Sequence, residues 1–520
     1  MEEYDIINKN TLKEDKNTMK KKLLTSLIML TAALLIGCGT KADSSAEKNI
    51  QTVDDLPGTK IGVQLGTIGD IYASDYEGDE AGTKVERYNK IADAFQALKQ
   101  GKVDSVIIDE QPAIAGTADE STLVILDEPF TLEEYAICIA KDNNELLEKV
   151  NQALSELKAE GVVDQITDNY IGDDTKGTCP YVTPEGTTYE NGTLVVATNA
   201  AFPPYEYYEN GKPVGIDIEL ITAIGDKLGM KVESEDMEFD SIINAVDSHK
   251  ADVGIAGMTK TEERLKSINF SDSYVTSKQV IVVRDSSLAD EGLGFAEKFQ
   301  RNFIEDNRWT FLAQGLKNTL IIAICAVLAG MIIGFLVAIV RVTYDKTGNL
   351  LILNAICKLY LTIIRGTPMM IQLLIIYYVV FQSVNVPKLV VAIVAFAINS
   401  GAYVAEIMRG GIMSIDAGQM EAGRSLGLTY KQTMTSIILP QAVKNVLPAL
   451  ANEFISLIKE TSICGYIGMI DLTRGGDIIR SITYEALLPL VGVALIYLVI
   501  VQILNLGVGV LEKNLRKSER

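Results

Sequence analysis

Apolar and polar positions divide the chain into unlike regions. Between about residues 53 and 283, short apolar runs alternate with amphipathic stretches. Residues 60–64, 85–88 and 106–109 read as strands, and Ile91, Phe95 and Leu98 recur at helical spacing between two of them. Residues 144–169 read as a helical pair, 172–192 as a loop with Pro180, Pro184 and several glycines, and 194–197 as the strand opening a second such set. Both sets carry a helix, then Lys-Val-Asp at 102–104 or Lys-Ala-Asp at 250–252, then a strand. The echo predicts two similar α/β lobes.

After a polar connector at 285–308 the pattern changes. Residues 318–340 form an uncharged run longer than the roughly 20 residues a membrane helix needs. Further apolar runs lie at about 352–381, 389–408, 442–470 and 486–511, predicting five spans in all. Arg341 and Lys346 follow the first run, as expected at a cytoplasmic end. An outside start puts the α/β lobes outside and both the 416–442 loop and the carboxy terminus inside. Gly366 and Pro368 predict a broken helix, tolerated where it lines a protein-buried path. Glu406, Glu453 and Lys459 are either pathway residues or end anchors.

The 416–442 loop, DAGQMEAGRSLGLTYKQTMTSIILPQA, predicts two short helices with a bend. Asp416 with Gln419, and Thr429 with Gln432, have capping-box spacing, Gly427 suits a left-handed cap, and Pro440 is expected to end the second helix. Met420, Leu426, Met434, Ile437 and Ile438 lie beside Glu421, Arg424 and Lys431, which suits docking against a partner protein; a solvated amphipathic hairpin is the alternative. EAGRSLG followed by IILP resembles the coupling loop of ATP-binding-cassette (ABC) importer permeases, which inserts into a separate ATPase. The resemblance assigns that role to Glu421, Ala422, Gly423, Arg424, Gly427 and Pro440. Gly423 departs from the family's EAA pattern and is expected to loosen the helix by about 1 kcal/mol relative to Ala.

Charge sharpens the division. Residues 309–520 hold 17 Lys+Arg against 11 Asp+Glu, so the total of −21 leaves −27 on residues 1–308. So acidic a first part argues against nucleic acid or anionic lipid as its partner. The six cysteines lack paired metal-ligand spacing and imply neither a zinc site nor a disulfide framework. No G-x-x-x-x-G-K-[ST] sequence occurs, so ATP and Mg are expected in a separate ATPase, with no cofactor in this chain. His249, the one histidine, has no nucleophile near it in sequence and reads as a surface residue.

Lys20, Lys21 and Lys22 precede an apolar stretch at 23–36, the pattern of a secretory signal. Leu35-Ile36-Gly37-Cys38 resembles a bacterial lipobox, which implies lipid modification of Cys38 and a start of translation at Met19; an uncleaved signal anchor is the alternative.

The α/β part resembles the polar-amino-acid-binding receptors of ABC importers. ATNAAFPPYEY, VGIDIEL and AGMTKTEERLKSINFSDSY resemble the receptor's lobe 1, and DLPGTKIGVQLGTIGD, GKVDSVIIDEQ, EYAICIAK and DNYIG its lobe 2 with terminal helices. The halves stand in reversed order, as in a circular permutant joined through 171–192, with only the return strand near 135–140 expected to cross between lobes. In open α/β sheets ligands sit at the carboxyl ends of strands. An amino-acid zwitterion needs a cation and an anion there: Arg264 can grip the carboxylate through two parallel hydrogen bonds, helped by Gly257 and Thr259, and Asp109 across the cleft is the ammonium partner. The alternative for Arg264 is a surface ion pair with a nearby glutamate. The resemblance adds Asn199, Phe202 and Phe239 around the ligand side chain, with Gln64, Gly66 and Thr67 from the other lobe; the two phenylalanines serve equally as core. Uncharged Asn199 and Gln64 favour a neutral polar amino acid such as glutamine.

RGTP at 365–368 and NEF at 452–454 again resemble the histidine/glutamine permease family. The expected architecture is multidomain: leader and lipoprotein signal (1–37), linker (38–52), lobe 2 with terminal helices (53–180), lobe 1 (181–284), connector (285–308) and an all-α transmembrane permease domain (309–520). The resemblance implies ATP-driven amino-acid import by a bacterial cell-membrane protein that pairs with itself in the bilayer and with an ABC ATPase. A ligand-gated channel or sensor, an enzyme on the bilobed fold, and a degenerate receptor kept as a tether are the rival readings.

Overall fold

The structure, a computed structural model, describes residues 50–517 except 119, 173, 210, 286–292, 383 and 385. The leader, the signal segment, Cys38 and part of the connector lie outside the described residues.

The strands in chain order are β1 (Lys60–Gln64), β2 (Lys84–Tyr88), β3 (Ser105–Asp109), β4 (Leu123–Ile125), β5 (Thr131–Tyr135), β6 (Cys138–Ala140), β7 (Thr193–Thr198), β8 (Tyr207–Glu209), β9 (Lys212–Val214), β10 (Lys231–Asp236), β11 (Val253–Gly254), β12 (Ile268–Phe270) and β13 (Val275–Arg284). One sheet, lobe 2, runs β2-β1-β3-β13-β4 with β5 also on β13; the other, lobe 1, runs β10-β7-β11-β6-β12. β1, β2 and β3 pair in parallel, and β13 lies antiparallel to β3 with Gln279 opposite Asp109.

Two connections therefore cross between the lobes, where one was expected: β5 into β6, and β12 into β13. They run side by side, the Tyr274 amide donating to the Tyr135 carbonyl at 2.9 Å and the Ser271 amide to the Ile137 carbonyl at 2.8 Å. Lobe membership consequently departs from the contiguous division at 180/181. β13 belongs to the lobe 2 sheet because its apolar Val280 and Val282 complete that lobe's core with Phe95, Leu98 and Val106. Of the helices used below, α1 (Ile68–Ser74) and α2 (Ile91–Lys99) serve lobe 2, whereas α3 (Asn144–Ala159) and α4 (Val162–Ile171) pack on α5 (Ile216–Leu228) of lobe 1. Their apolar faces, including Leu154, Leu157 and Ile166, close over Leu220, Ile221 and Ile224.

The permease part comprises α6 (Trp309–Thr347), α7 (Leu351–Gly366), α8 (Met369–Ile375), α9 (Lys388–Met413), α10 (Ala417–Ser425), α11 (Tyr430–Thr433), α12 (Leu439–Glu460), α13 (Leu472–Thr483) and α14 (Leu487–Lys517). Among the described residues three helices, α6, α9 and α14, are long and apolar enough to cross a membrane, or four if the bent pair from Leu351 to Val380 is one span. That pair turns by 110° where Gly366 ends α7 and Pro368 precedes α8, the break expected from the sequence. The fourth expected span, 442–470, coincides with α12 and a 3-10 turn to Ile467; Lys444, Glu453, Lys459 and Glu460 keep it outside the apolar set. Small residues let α6 and α9 approach: a Cβ on Gly334 would lie 2.6 Å from Val404, and one on Gly330 3.1 Å from the Gly401 amide nitrogen.

Candidate ligand cleft and coupling loop

The carboxyl ends of β1, β3 and β7 and the loops after β11 meet at a narrow, nearly closed cleft between the lobes, with a cavity volume of about 20 Å³. Gln64, Thr67, Asp109, Asn199, Phe202, Phe239, Gly257, Thr259 and Arg264 all line it, together with Ile68, Glu206 and Ala256. Gly66 joins them through its backbone.

Arg264 opens a short helix, Arg264–Ser267, later than the start near Thr261 expected from the sequence. Its guanidinium is buried, donating from one nitrogen to the Thr259 carbonyl at 2.6 Å and from the other, across the cleft, to the Gly66 carbonyl at 2.8 Å. This is no surface ion pair. Burial lowers its pKa from the ordinary value, against the pull of Cys138, Glu133 and Asp109. The Phe239 ring lies 5.7 Å from the guanidinium carbon, within range of a cation–π contact.

Asp109 ends β3 and is buried. Burial pushes its carboxyl up to about 6, opposed by the Tyr135 hydroxyl, which donates to it directly. The cleft thus holds a guanidinium on one lobe and a carboxylate on the other, the pair a zwitterion requires.

The remaining residues divide by what they already hold. Thr67 caps α1, accepting from the Asp70 amide at 3.5 Å and donating to the Gln64 carbonyl at 2.7 Å. Asn199 donates to the Met237 carbonyl at 2.6 Å, which fixes its side chain. The Gly257 amide donates to Asp217 at 2.8 Å, so it orients a loop instead of offering a free donor; its φ of +51° favours glycine. Phe202 stacks on Tyr205 at 5.9 Å and packs against the cores of both lobes. Glu206 was missed. It lies buried beside Asp217, and burial raises its carboxyl well above the usual range; a lone acid inside the aromatic run Tyr205-Glu206-Tyr207-Tyr208 was the signal for it.

In the 416–442 loop, Asp416 caps α10 by accepting from the Gly418 amide at 2.6 Å, and Gly427 has φ +86°. Thr429 and Gln432 form the reciprocal capping box, each backbone amide donating to the other's side chain at 2.9 and 3.3 Å. Pro440 corrects the expectation: it follows a wider, π-helical turn at Met434–Ile438, and the chain stays helical through it to Glu460 instead of stopping there. Gly423 has a packing reason as well. A Cβ there would lie 2.5 Å from Thr433 Cγ2 and 3.3 Å from Ile437, so the two arms meet at that glycine. Arg424 ties the bend by donating to the Leu428 carbonyl at 3.0 Å. Glu421 and Ala422 stand exposed on α10, and Leu426 at the bend is 82 % exposed.

Residues 194–462, beginning within β7 of lobe 1, match the bacterial extracellular solute-binding proteins, family 3. The arginine transport system permease protein ArtQ of Bacillus subtilis is 37 % identical over 211 residues, covering 40 % of this chain and 94 % of its own. The glutamine transport system permease protein GlnP of Escherichia coli is 36 % identical over 208 residues, 39 % of this chain and 93 % of its own. The chain belongs to the family 3 solute-binding proteins and, in its membrane part, to the amino-acid ABC transporter permeases. A crystal structure of an amino acid ABC transporter with histidines is 38 % identical over 43 % of this chain and 99 % of that one, with a TM-score of 0.39. Membership of both families accounts for a sheet-containing binding part and a helical membrane part in one polypeptide.

Proposed function

We propose that this chain is the receptor and permease subunit of an ATP-driven importer of a polar amino acid, with the receptor circularly permuted. The observation that carries the reading is Arg264 and Asp109 facing one cleft from opposite lobes of a chain that also bears membrane helices. Arg264 takes the carboxylate, Asp109 the ammonium, and Asn199, Gln64 and the two phenylalanines surround the side chain. A ligand bridging the two charges favours closed lobes. The 416–442 loop docks by Glu421, Ala422 and Leu426 on a separate ATPase, which binds ATP and Mg, and two permease parts pair to line the path. Cys38 anchors the start of the mature chain through lipid.

Uptake of labelled amino acids by membrane vesicles containing the chain and an ABC ATPase tests this. Accumulation of one polar amino acid that stops when ATP is withheld supports it; ligand-gated current without accumulation supports the channel instead.

A further inference from the structure

Helix α13 lies between α12 and α14 in the permease sequence, yet its arginines reach the receptor. Its start is fixed by Asp471, which accepts from the Thr473 amide at 2.9 Å and the Arg474 amide at 3.3 Å. Arg474 is only 3 % exposed; it donates at 2.6 Å to Asp236, the last residue of β10, and to Glu238 just beyond, both on lobe 1. The same Glu238 receives Lys90 of lobe 2 at 3.1 Å. Arg480 is six residues on and so about 120° round the helix; it pairs with Asp93 in the first turn of α2 on lobe 2. Beyond the helix end, Tyr484 meets Phe95 of α2 edge to face at 5.5 Å. Burial alone would lower the pKa of Arg474, but Asp236 and Glu238 raise it above its ordinary value.

We infer that α13 is a latch that grips both lobes of its own chain at once, so that each permease part holds its own receptor closed over the cleft. Parting the lobes moves α2 away from the end of β10. That motion separates Lys90 from Glu238 and obliges α13 to release either Asp93 or the Asp236–Glu238 pair. Both arginines are buried, but Arg480 keeps Asp477 at 2.7 Å when Asp93 leaves, whereas Arg474 would lose both Asp236 and Glu238, so the release is costly on the lobe 1 side and cheaper at Asp93. Lobe 2 is therefore the lobe that swings. By linkage, a grip that favours the closed arrangement tightens ligand binding by the same factor; that consequence rests on the amino-acid cleft proposed above, whereas the grip itself does not.

Hydrogen exchange on the full chain in lipid nanodiscs tests the latch without ligand. Arg480→Gln is expected to speed exchange at least threefold in residues 91–99 while leaving β7 unchanged, and Arg474→Gln to speed it in both 91–99 and 231–236. The swapped pair Asp93→Arg with Arg480→Asp is expected to restore protection, which a misfolded variant would not. Unchanged exchange in Arg480→Gln, or no restoration by the swap, overturns the latch. With any amino acid that binds the wild-type chain, Arg480→Gln should raise Kd threefold or more, and an unchanged Kd also overturns it. Failure of every amino acid to bind the wild-type chain overturns the proposed function, and the exchange result still decides the latch.

Discussion

Arg264 on lobe 1 donates to the backbone carbonyl of Gly66 on lobe 2 at 2.8 Å, so the residue assigned to the ligand carboxylate is itself a tie across the cleft. One nitrogen faces its own lobe through Thr259 and the other faces the opposite lobe. A carboxylate entering the cleft exchanges a neutral carbonyl for a charged acceptor, a stronger partner for a guanidinium.

Arg264→Ala is therefore expected to cost about 2–5 kcal/mol of ligand binding, much of it from leaving a buried carboxylate unpaired. Arg264→Lys should recover only part, because an ammonium lacks the planar fork. Calorimetric titration of both variants checks the order: wild type, then Lys, then Ala.

Ligand binding should weaken as pH falls through about 6, the value to which burial pushes Asp109, because protonation removes the anion that the ligand ammonium needs. The sign for stability is opposite. A carboxyl whose folded pKa lies above the unfolded value of about 3.9 destabilises the fold while charged, so this group's penalty is present above pH 6 and relieved between about pH 6 and 4. Burial pushes Asp217 to about 6 as well, so it adds to the stability trend. Asp109→Asn should flatten the pH profile of binding while the stability trend persists in part, as affinity and melting series from pH 4 to 8 would show.

At Gly423, alanine would gain about 1 kcal/mol of helix propensity. Overpacking against Thr433 opposes this at about 1–3 kcal/mol, and Thr433 is fully buried and donates to the Thr429 carbonyl at 3.1 Å, so it cannot easily yield. Packing wins. Gly423→Ala is expected to lower the stimulation of the partner ATPase with ligand affinity unchanged, read by ATP hydrolysis and titration on the same preparation.

The Leu426 side chain is 82 % exposed. Leu426→Asp should leave the melting temperature within a degree or two, since surface changes lie mostly within about 0.5 kcal/mol, yet abolish co-purification of the ATPase. Retained co-purification would remove the loop from the docking surface.

What was legible in the sequence was mostly local. Thr429 with Gln432 and Gly427 code their caps within one turn, and the structure carries them out. Pro440 was misread because a proline that stops a helix and one that follows a wider turn within it look alike until the continuation to Glu460 is known. The lobe division failed at β13, whose place is set by pairing Gln279 with Asp109, a contact far away along the chain. The residues gathered at the cleft were foreseen from the resemblance, but the engagement of the Gly257 amide by Asp217 was not. The contacts of Arg474 with Asp236 and Glu238 span more than two hundred residues and leave no periodic trace.

The most direct test of the central claim is calorimetric titration of the full chain in lipid nanodiscs with each common amino acid, wild type beside Arg264→Ala. Saturable binding of a polar amino acid by the wild type, lost in the variant, is the predicted result. No binding by a folded wild-type chain, or equal binding by the variant, would contradict an amino-acid receptor built around Arg264.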